Sequence, residues 1–330
     1  MTPHHRRSLL AVAASLALAS PLPAQAQAAA WPSKPVTVVV PFAAGGSVDS
    51  AARIVLQKVG ERMKQSFIVD NTAGAAGTIG TLKATKAPAD GYTLLFAVSS
   101  PITVAPVVKP STVKYDAFKD LVPIGVVATS PFVLVAGPKT PAASTAELVE
   151  LAKKQPGKLN YGTDGVGTSM HLTAELIKLK AGIDILHVPY KSGPQVLTEV
   201  SSGLLDLAVM PVVLVQPFIR DGRVKAIGVT SAERWPSLPD VPPLAATPAL
   251  RGLVVDSWYG LFAPAGTDPA IVARLGRELS ETLKDPDLVK RMADAGLKAT
   301  SLDAAAFGAL IRKERDEMAS VVKAAGIQPE

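Results

Sequence analysis

Segments typical of buried strands alternate with segments typical of helices along most of this chain, and this alternation limits the possible folds more than any other feature. Residues 36–40 are β-branched at every position, which is typical of a strand buried on both faces of a parallel sheet. Apolar residues then recur at helical spacing over residues 48–59,. A second series of strands and helices begins at residue 132. Because this is the order of βαβ units, we predict a doubly wound α/β fold.

The positions of the two series predict two doubly wound domains with a ligand cleft between them. The chain has 330 residues, enough for two domains of ordinary size,. A late strand at residues 258–263 and a helical C-terminal region follow the second series, so we expect the first domain to be discontinuous. We assign residues 29–130 and 255–330 to domain 1 and residues 131–254 to an inserted domain 2.

Residues 1–28 have the pattern of a secretory signal peptide. Arg6 and Arg7 precede an apolar run at residues 9–18, and small residues at 24–28 offer cleavage sites,. The apolar run is too short to span a bilayer comfortably. We therefore expect a soluble protein exported to the periplasm, through either the general or the twin-arginine route.

Composition excludes several classes of function. The chain contains no cysteine, which excludes disulfides, thiolate metal sites and a cysteine nucleophile,. The formal net charge of +6 includes Arg6 and Arg7 of the signal segment, and no basic cluster with interleaved aromatic residues indicates a nucleic acid partner,. Only His171 and His187 remain beyond residue 28, so we expect no metal site and no cofactor. We interpret His187 as a structural hydrogen-bonding residue.

Enzyme motifs fit this sequence poorly. The glycine loops match neither the dinucleotide fingerprint nor the phosphate-binding loop, and there is no Gly-x-Ser-x-Gly segment,. No activated nucleophile or matched acid and base pair is recognisable. We therefore predict a protein without catalytic activity.

Two glycine-rich loops that join a strand to a helix are the main candidates for ligand binding. They lie at residues 41–49 and 161–169. The N–H groups at a helix N-terminus bind anions, and ligands of open α/β sheets bind beyond the carboxyl ends of strands. We expect the two loops on opposite walls of one cleft. The alternative for the first loop is a turn capped by Ser47, with Asp49 offsetting the helix dipole.

Three further places in the sequence bear on the cleft. Residues 74–80 form a third glycine-rich loop, which we interpret as a packing turn. Ser99 follows the predicted strand at residues 93–98, where it either lines the cleft or belongs to an ordinary turn. Asp206 interrupts the apolar segment 204–210, and a carboxylate there must be solvated or paired,. It therefore either lines the cleft or ends the strand.

These segments together resemble a known family, the substrate-binding proteins of tripartite tricarboxylate transporters, also called the Bug family. The similar segments run in family order across nearly the whole chain after the signal segment. They are residues 41–49 with Arg53, 90–94, 161–163 with 165–172, 187–191, 203–206, 239–242 and 263–267.

The resemblance implies a type II-like periplasmic-binding-protein fold whose two domains close on a small carboxylate or amino acid. It implies that permease subunits of a tripartite transporter are the partners, and we expect the protein to be a monomer. A ligand-binding subunit of a sensory system and, less in keeping with the sequence, an exported carboxylate-acting enzyme are the alternatives. The carboxylate of Asp49 would favour a ligand amine and oppose an additional ligand carboxylate. The predicted ligand-binding residues are Phe42, Ala43, Gly45, Gly46, Asp49, Ser99, Thr163, Thr168, Ser169 and Asp206.

Overall fold

The computed structural model describes residues 31–324, and the predicted signal peptide lies outside them. The first part of the described chain alternates strands and helices in the predicted way. Strands β1, β2 and β3 are parallel, with β1 between the other two. The elements are β1 (Val36–Val40), α1 (Ser47–Met63), β2 (Phe67–Asn71), α2 (Thr78–Thr85) and β3 (Thr93–Ala97).

A long strand links the two halves of the molecule. A π-helical turn at Ser100–Val104 leads into α3 (Ala105–Val108), which is followed by α4 (Ala117–Asp120) and β4 (Leu121–Ala136). The 16 residues of β4 span roughly 50 Å at about 3.3 Å per residue,.

The second series of elements follows β4. It contains three strands and four helices before its last strand. The elements are α5 (Thr145–Lys154), β5 (Asn160–Thr163), α6 (Ser169–Ala181), β6 (Leu186–Pro189), α7 (Gly193–Ser202), β7 (Leu207–Pro211), α8 (Val212–Arg220) and β8 (Lys225–Val229).

The chain then returns to the first half. Strand β9 runs antiparallel to both β3 and the first part of β4. Asp268 and Asp285 each cap a helix whose first residue is proline, a combination that fixes where these helices begin,. The elements are β9 (Asp256–Pro264), α9 (Pro269–Thr282), α10 (Pro286–Asp294), β10 (Lys298–Leu302) and α11 (Ala304–Ala324).

Within residues 31–324 the strands form one curved 10-stranded sheet in the order β2-β1-β3-β9-β4-β7-β5-β6, and β8 and β10 also pair with β4. Strand β4 pairs with β9 as far as Pro131 and with β7 from Phe132 onward. One apolar core lies on each side of this change of partners, one formed by residues between 132 and 253 and the other by residues before 127 and after 257. The α/β fold predicted from the sequence is confirmed, whereas the predicted domain boundaries stay a prediction.

Four elements differ from the sequence prediction. Strand β4 begins at Leu121, well before the predicted strand at residue 132. Helix α10 and strand β10 were not predicted, since β10 is short and has few apolar residues. Strand β7 begins at Leu207, so Asp206 precedes this strand and does not interrupt it.

Candidate functional site

A cavity of about 630 Å³ lies between the two halves, beyond the carboxyl ends of β1 and β5. Both halves line it, as expected for a ligand cleft in an α/β sheet. The first half contributes Phe42, Ala43, Gly46, Ser47 and the segment 73–77. The second half contributes Asp164, Gly165, Val166, Met170, the segment 190–194 and Leu214.

The first predicted loop forms one wall of this cavity. Gly46 occupies the N-cap position of α1 in an extended conformation, and no side chain caps the helix, so Ser47 is the first helical residue and not the cap. Gly45 has a φ of +75°, a conformation that glycine adopts without strain,. The loop therefore turns backbone atoms and the N-terminus of a 17-residue helix toward the cavity,.

Asp49 holds this loop in place and does not line the cavity. Its carboxylate accepts hydrogen bonds from the Gly45 backbone N–H at 2.9 Å, from Arg53 Nε at 2.9 and 3.0 Å and from Asn71 Nδ2 at 3.0 Å. Burial raises the pKa of Asp49, but these hydrogen bonds outweigh it and hold the pKa below its ordinary value. Both carboxylate oxygens are engaged and the charge is paired, which removes the basis for expecting Asp49 to bind a ligand amine.

The second predicted loop forms the opposite wall. The Thr168 hydroxyl caps α6 by accepting from the His171 backbone N–H at 3.2 Å, and it donates to the Gly165 carbonyl at 3.0 Å. The Thr163 hydroxyl lies 2.7 Å from His187 Nε2 and 3.2 Å from the Gly165 carbonyl. Thr163 and Thr168 are fully buried and do not line the cavity. These hydroxyls therefore stabilise the conformation of the loop from its buried side, away from the cavity.

A stacked pair of imidazoles supports this second loop. The His171 and His187 rings lie 4.3 Å apart, and Tyr161 stacks on His187 at 4.9 Å. His171 Nδ1 accepts from the Gly167 backbone N–H at 3.3 Å. Burial, and after it the neighbouring His171, lowers the pKa of His187 to about 4, so this ring is neutral at physiological pH. The predicted structural role of His187 is confirmed by its contact with Thr163.

Ser169 contacts the first half of the molecule directly. Its backbone N–H donates to Ser100 Oγ at 3.0 Å, and the two hydroxyl oxygens lie 3.1 Å apart. Both side chains border a small recess below the main cavity. Ser99 is buried and lines neither space, and its hydroxyl is one of the groups that hydrogen bond the buried carboxyl of Glu314.

Asp206 lies away from the cavity, at the amino ends of β5 and β7. Its carboxylate accepts from the Asn160 backbone N–H at 2.9 Å, and its own N–H donates to the Asn160 side chain at 2.9 Å. Ligand clefts form at the opposite, carboxyl ends of such strands. The hydrogen-bond partner that a carboxylate needs at this position is therefore the backbone N–H of Asn160 on strand β5.

Sequence reasoning missed Asp164, the one acidic residue of the second loop. Asp164 borders both the cavity and the recess. Its Oδ1 is buried and makes no hydrogen bond within the described part of the protein. Burial raises the pKa of Asp164 to about 6. An aspartate between glycines at the end of a strand is the signal that could have identified it.

Other wall residues were also missed. The third glycine loop was interpreted as a packing turn, but residues 73–77 line the cavity. This loop also packs tightly, because a Cβ atom on Gly80 would lie 2.5 Å from the Thr72 carbonyl oxygen. Lys109 and Lys191 contribute two cationic side chains to the lining. Basic residues next to a proline or a glycine turn carry no distinctive sequence pattern, so neither was singled out.

Residues 31–324 contain no group of three or more histidine, aspartate or glutamate side chains that could hold a metal ion. No helix in the same part of the chain is long and apolar enough to cross a bilayer.

Comparison with known proteins identifies the family. The sequence profile of the tripartite tricarboxylate transporter family receptor matches residues 51–327. The protein BugT of Bordetella pertussis is 33% identical over 321 residues, which cover 96% of this chain and 97% of BugT. The chain belongs to this receptor family. The resemblance predicted from the sequence segments is thereby confirmed.

Two solved structures that are similar to this chain share its fold. Rpa4515 of Rhodopseudomonas palustris, solved with adipate, superposes with a TM-score of 0.88 at 31% identity, covering 91% of this chain and 100% of the other. MatC of Rhodopseudomonas palustris, solved with bound malate, superposes with a TM-score of 0.83 at 29% identity, covering 88% of this chain and 100% of the other. This protein therefore has the two-domain periplasmic-binding-protein fold of the tripartite tricarboxylate transporter receptors.

Proposed function

We propose that this protein is an extracytoplasmic solute-binding protein that binds a small carboxylate in the cleft and delivers it to a tripartite tricarboxylate-type transporter. One observation carries the proposal: a single cavity borders the N-terminal ends of two helices, α1 and α6, that belong to opposite halves of the molecule. A carboxylate between them would interact with both positive helix ends.

The composition of the cavity wall supports an anionic ligand. Lys109 lies on the wall of the first half and Lys191 on the wall of the second, and both add positive charge. An anion entering the cleft is attracted by this potential before it contacts the loops.

The size of the cavity supports recognition that uses water. Its volume of about 630 Å³ falls within the usual range for ligand sites,, and corresponds to roughly 20 water molecules at about 30 Å³ each. A small carboxylate fills only part of this space. Ordered waters that bridge the ligand to the loop backbone retain much of the enthalpy of a direct hydrogen bond.

The contacts between the halves support a closing motion around the ligand. Besides the Ser100–Ser169 contact, an apolar cluster joins Val104, Val108 and Val322 of the first half to Leu172 of the second. Contacts of this kind can be made and broken as the halves move. A ligand that contacts both walls shifts the population toward the closed form, which is the form we expect a membrane permease to recognise.

Family relatives support the same choice of ligand class. Adipate and malate, the molecules named with Rpa4515 and MatC, are both small carboxylates. The receptor family itself supports a permease partner and a periplasmic location. The signal-peptide pattern of residues 1–28 agrees with export,.

Thermal unfolding of the protein without residues 1–28 tests the proposal. The protein is unfolded and refolded to remove retained ligand, then heated with a panel of carboxylates, amino acids and sugars. A ligand of the folded state raises the unfolding midpoint, and a hundredfold excess over the dissociation constant adds about 2.7 kcal/mol. We expect one carboxylate class to stabilise the protein and to be recovered unchanged. Chemical turnover, or stabilisation by sugars alone, would contradict the proposal.

A further inference from the structure

Asp164 has a buried carboxylate oxygen without a hydrogen-bond partner in the described part of the chain. Oδ1 is buried, and no hydrogen-bond donor within residues 31–324 contacts it. Buried polar atoms in proteins are nearly always paired, so each unpaired one calls for an explanation. A buried acceptor that borders a ligand cavity is explained when the ligand itself supplies the donor.

The position of Asp164 fits contact with a bound molecule. The residue borders both the main cavity and the recess beneath it. In the recess it lies among Ser47 and Ser100 of the first half and Ser169 of its own half. A ligand carboxylate held at the helix N-termini would therefore bring its neighbouring carbon atoms close to Asp164.

We propose that Asp164 is a specificity-determining residue that accepts a hydrogen bond from a hydroxyl or ammonium group of the bound carboxylate. This inference rests on the proposed function, because it names the substituent that the carboxylate ligand carries. Asp49, the acid that the sequence first suggested for such a role, is already paired with Arg53 and Asn71.

The free-energy balance favours a ligand with such a donor. Burial without a partner disfavours the ionised carboxylate, in agreement with the raised pKa of Asp164,. A ligand donor offsets this cost, whereas an unsubstituted carboxylate leaves Oδ1 unpaired. Sites built to bind a polar group reject analogues that lack it. Hydrogen bonds to charged groups give an expected preference of roughly 10- to 100-fold.

Matched ligands and variants test the inference. Isothermal titration calorimetry measures the affinity for three sets of ligands, each made of a parent carboxylate, its hydroxy acid and its amino acid. The sets are propionate, lactate and alanine; succinate, malate and aspartate; and glutarate, 2-hydroxyglutarate and glutamate. The wild type is compared with Asp164→Ala, Asp164→Asn and the control Asp240→Ala, which replaces an exposed aspartate of the second half. Melting of each variant without ligand checks its fold, and we expect the Asp164 variants to melt no lower than the wild type.

In one of the three sets, we expect the hydroxy acid or the amino acid to bind to the wild type at least about 10-fold more tightly than the unsubstituted parent acid. Asp164→Ala should abolish this preference by weakening binding of the substituted ligand, with no loss of affinity for the parent, whereas Asp240→Ala should keep the preference. Asp164→Asn separates the two donors, because its amide oxygen still accepts from a hydroxyl but lacks the charge that favours ammonium.

Three results would overturn the inference. Equal binding of parent and substituted ligands by the wild type is the first. Equal loss of affinity for both in Asp164→Ala is the second. The third is a preference for the substituted ligand that Asp164→Ala retains at the wild-type level. All three results leave carboxylate binding intact, whereas a wild type that binds no member of the panel would contradict the proposed function itself.

Discussion

Ser100 Oγ accepts a hydrogen bond of 3.0 Å from the backbone N–H of Ser169, and these two residues belong to opposite halves of the molecule. The contact joins the π-helical turn after β3 to the first residue of α6. It therefore couples the ligand-facing end of α6 to the first half. Breaking it should favour the open form over the closed form that holds the ligand.

Ser100→Ala is expected to weaken carboxylate binding by about 3- to 10-fold, the effect of losing one ordinary hydrogen bond. The loss should come mainly from faster ligand dissociation, because the substitution destabilises the closed form. Stopped-flow binding measures both rate constants. Ser202→Ala, at the exposed C-terminal end of α7, is the matched control. An unchanged dissociation rate in Ser100→Ala would show that this contact has no part in closure.

Asp49→Asn is expected to lower the free energy of unfolding by about 1–3 kcal/mol at neutral pH, since it removes charge-assisted hydrogen bonds to Arg53 and Gly45,. The pKa of Asp49 is lowered by folding, so its stabilisation is present above about pH 4 and is lost as the pH falls below that value. Denaturant unfolding at several pH values should show the difference between wild type and variant shrinking in acid. A difference that stays constant in acid would contradict this assignment.

Asp164 should produce the opposite pH dependence. Folding raises its pKa from 3.8 to about 6, so the contribution of Asp164 to the stability of the ligand-free protein should become less favourable as the pH rises from about 4 to about 6. At roughly 1.4 kcal/mol for each pH unit, the cost at neutral pH is on the order of 3 kcal/mol. Asp164→Asn should lack this decline. Parallel pH profiles for the wild type and the variant would show that the carboxyl is not desolvated.

Two glycine-to-alanine substitutions inside helices should have opposite effects. A Cβ atom at Gly80 of α2 would lie 2.5 Å from the Thr72 carbonyl oxygen and 2.7 Å from Pro41 Cα, both backbone atoms that cannot move independently. Gly80→Ala should destabilise the protein by about 1–3 kcal/mol. Gly276→Ala in α9 would meet only the Ile124 carbonyl at 3.6 Å and should stabilise by about 0.5–1 kcal/mol. Denaturant midpoints measure both, and equal effects would contradict the packing described for Gly80.

Elements with strong local signals were predictable from the sequence. Helix α5 begins at Thr145 because Ser144 caps its first turn and Glu147 accepts from the Ala143 N–H, both of which are local effects. Strand β1 follows from its β-branched run. Strand β10 escaped prediction because its residues are only partly buried or exposed, and its pairing with β4 is a contact between distant parts of the chain.

In the candidate site, too, features that depend on local sequence were predictable and features that depend on distant residues were not. The spacing of glycines placed both loops at helix N-termini, and both loops line the cavity. The roles of individual side chains depended on neighbours from distant segments. Asn71, on β2, engages Asp49, while the burial of Asp164 arises where the second half meets the first. Neither could be inferred from residue type and spacing.

The central claim, that a carboxylate binds between the two loops, is tested most directly by filling the cavity. Ala43 lines the cavity, and Ala43→Trp places a large side chain there, whereas Ala293→Trp adds the same side chain at an exposed position of α10. Isothermal titration with the carboxylate that stabilises the wild type most should show binding to wild type and Ala293→Trp and none to a folded Ala43→Trp. Undiminished binding to Ala43→Trp would contradict the assignment of this cleft as the ligand site.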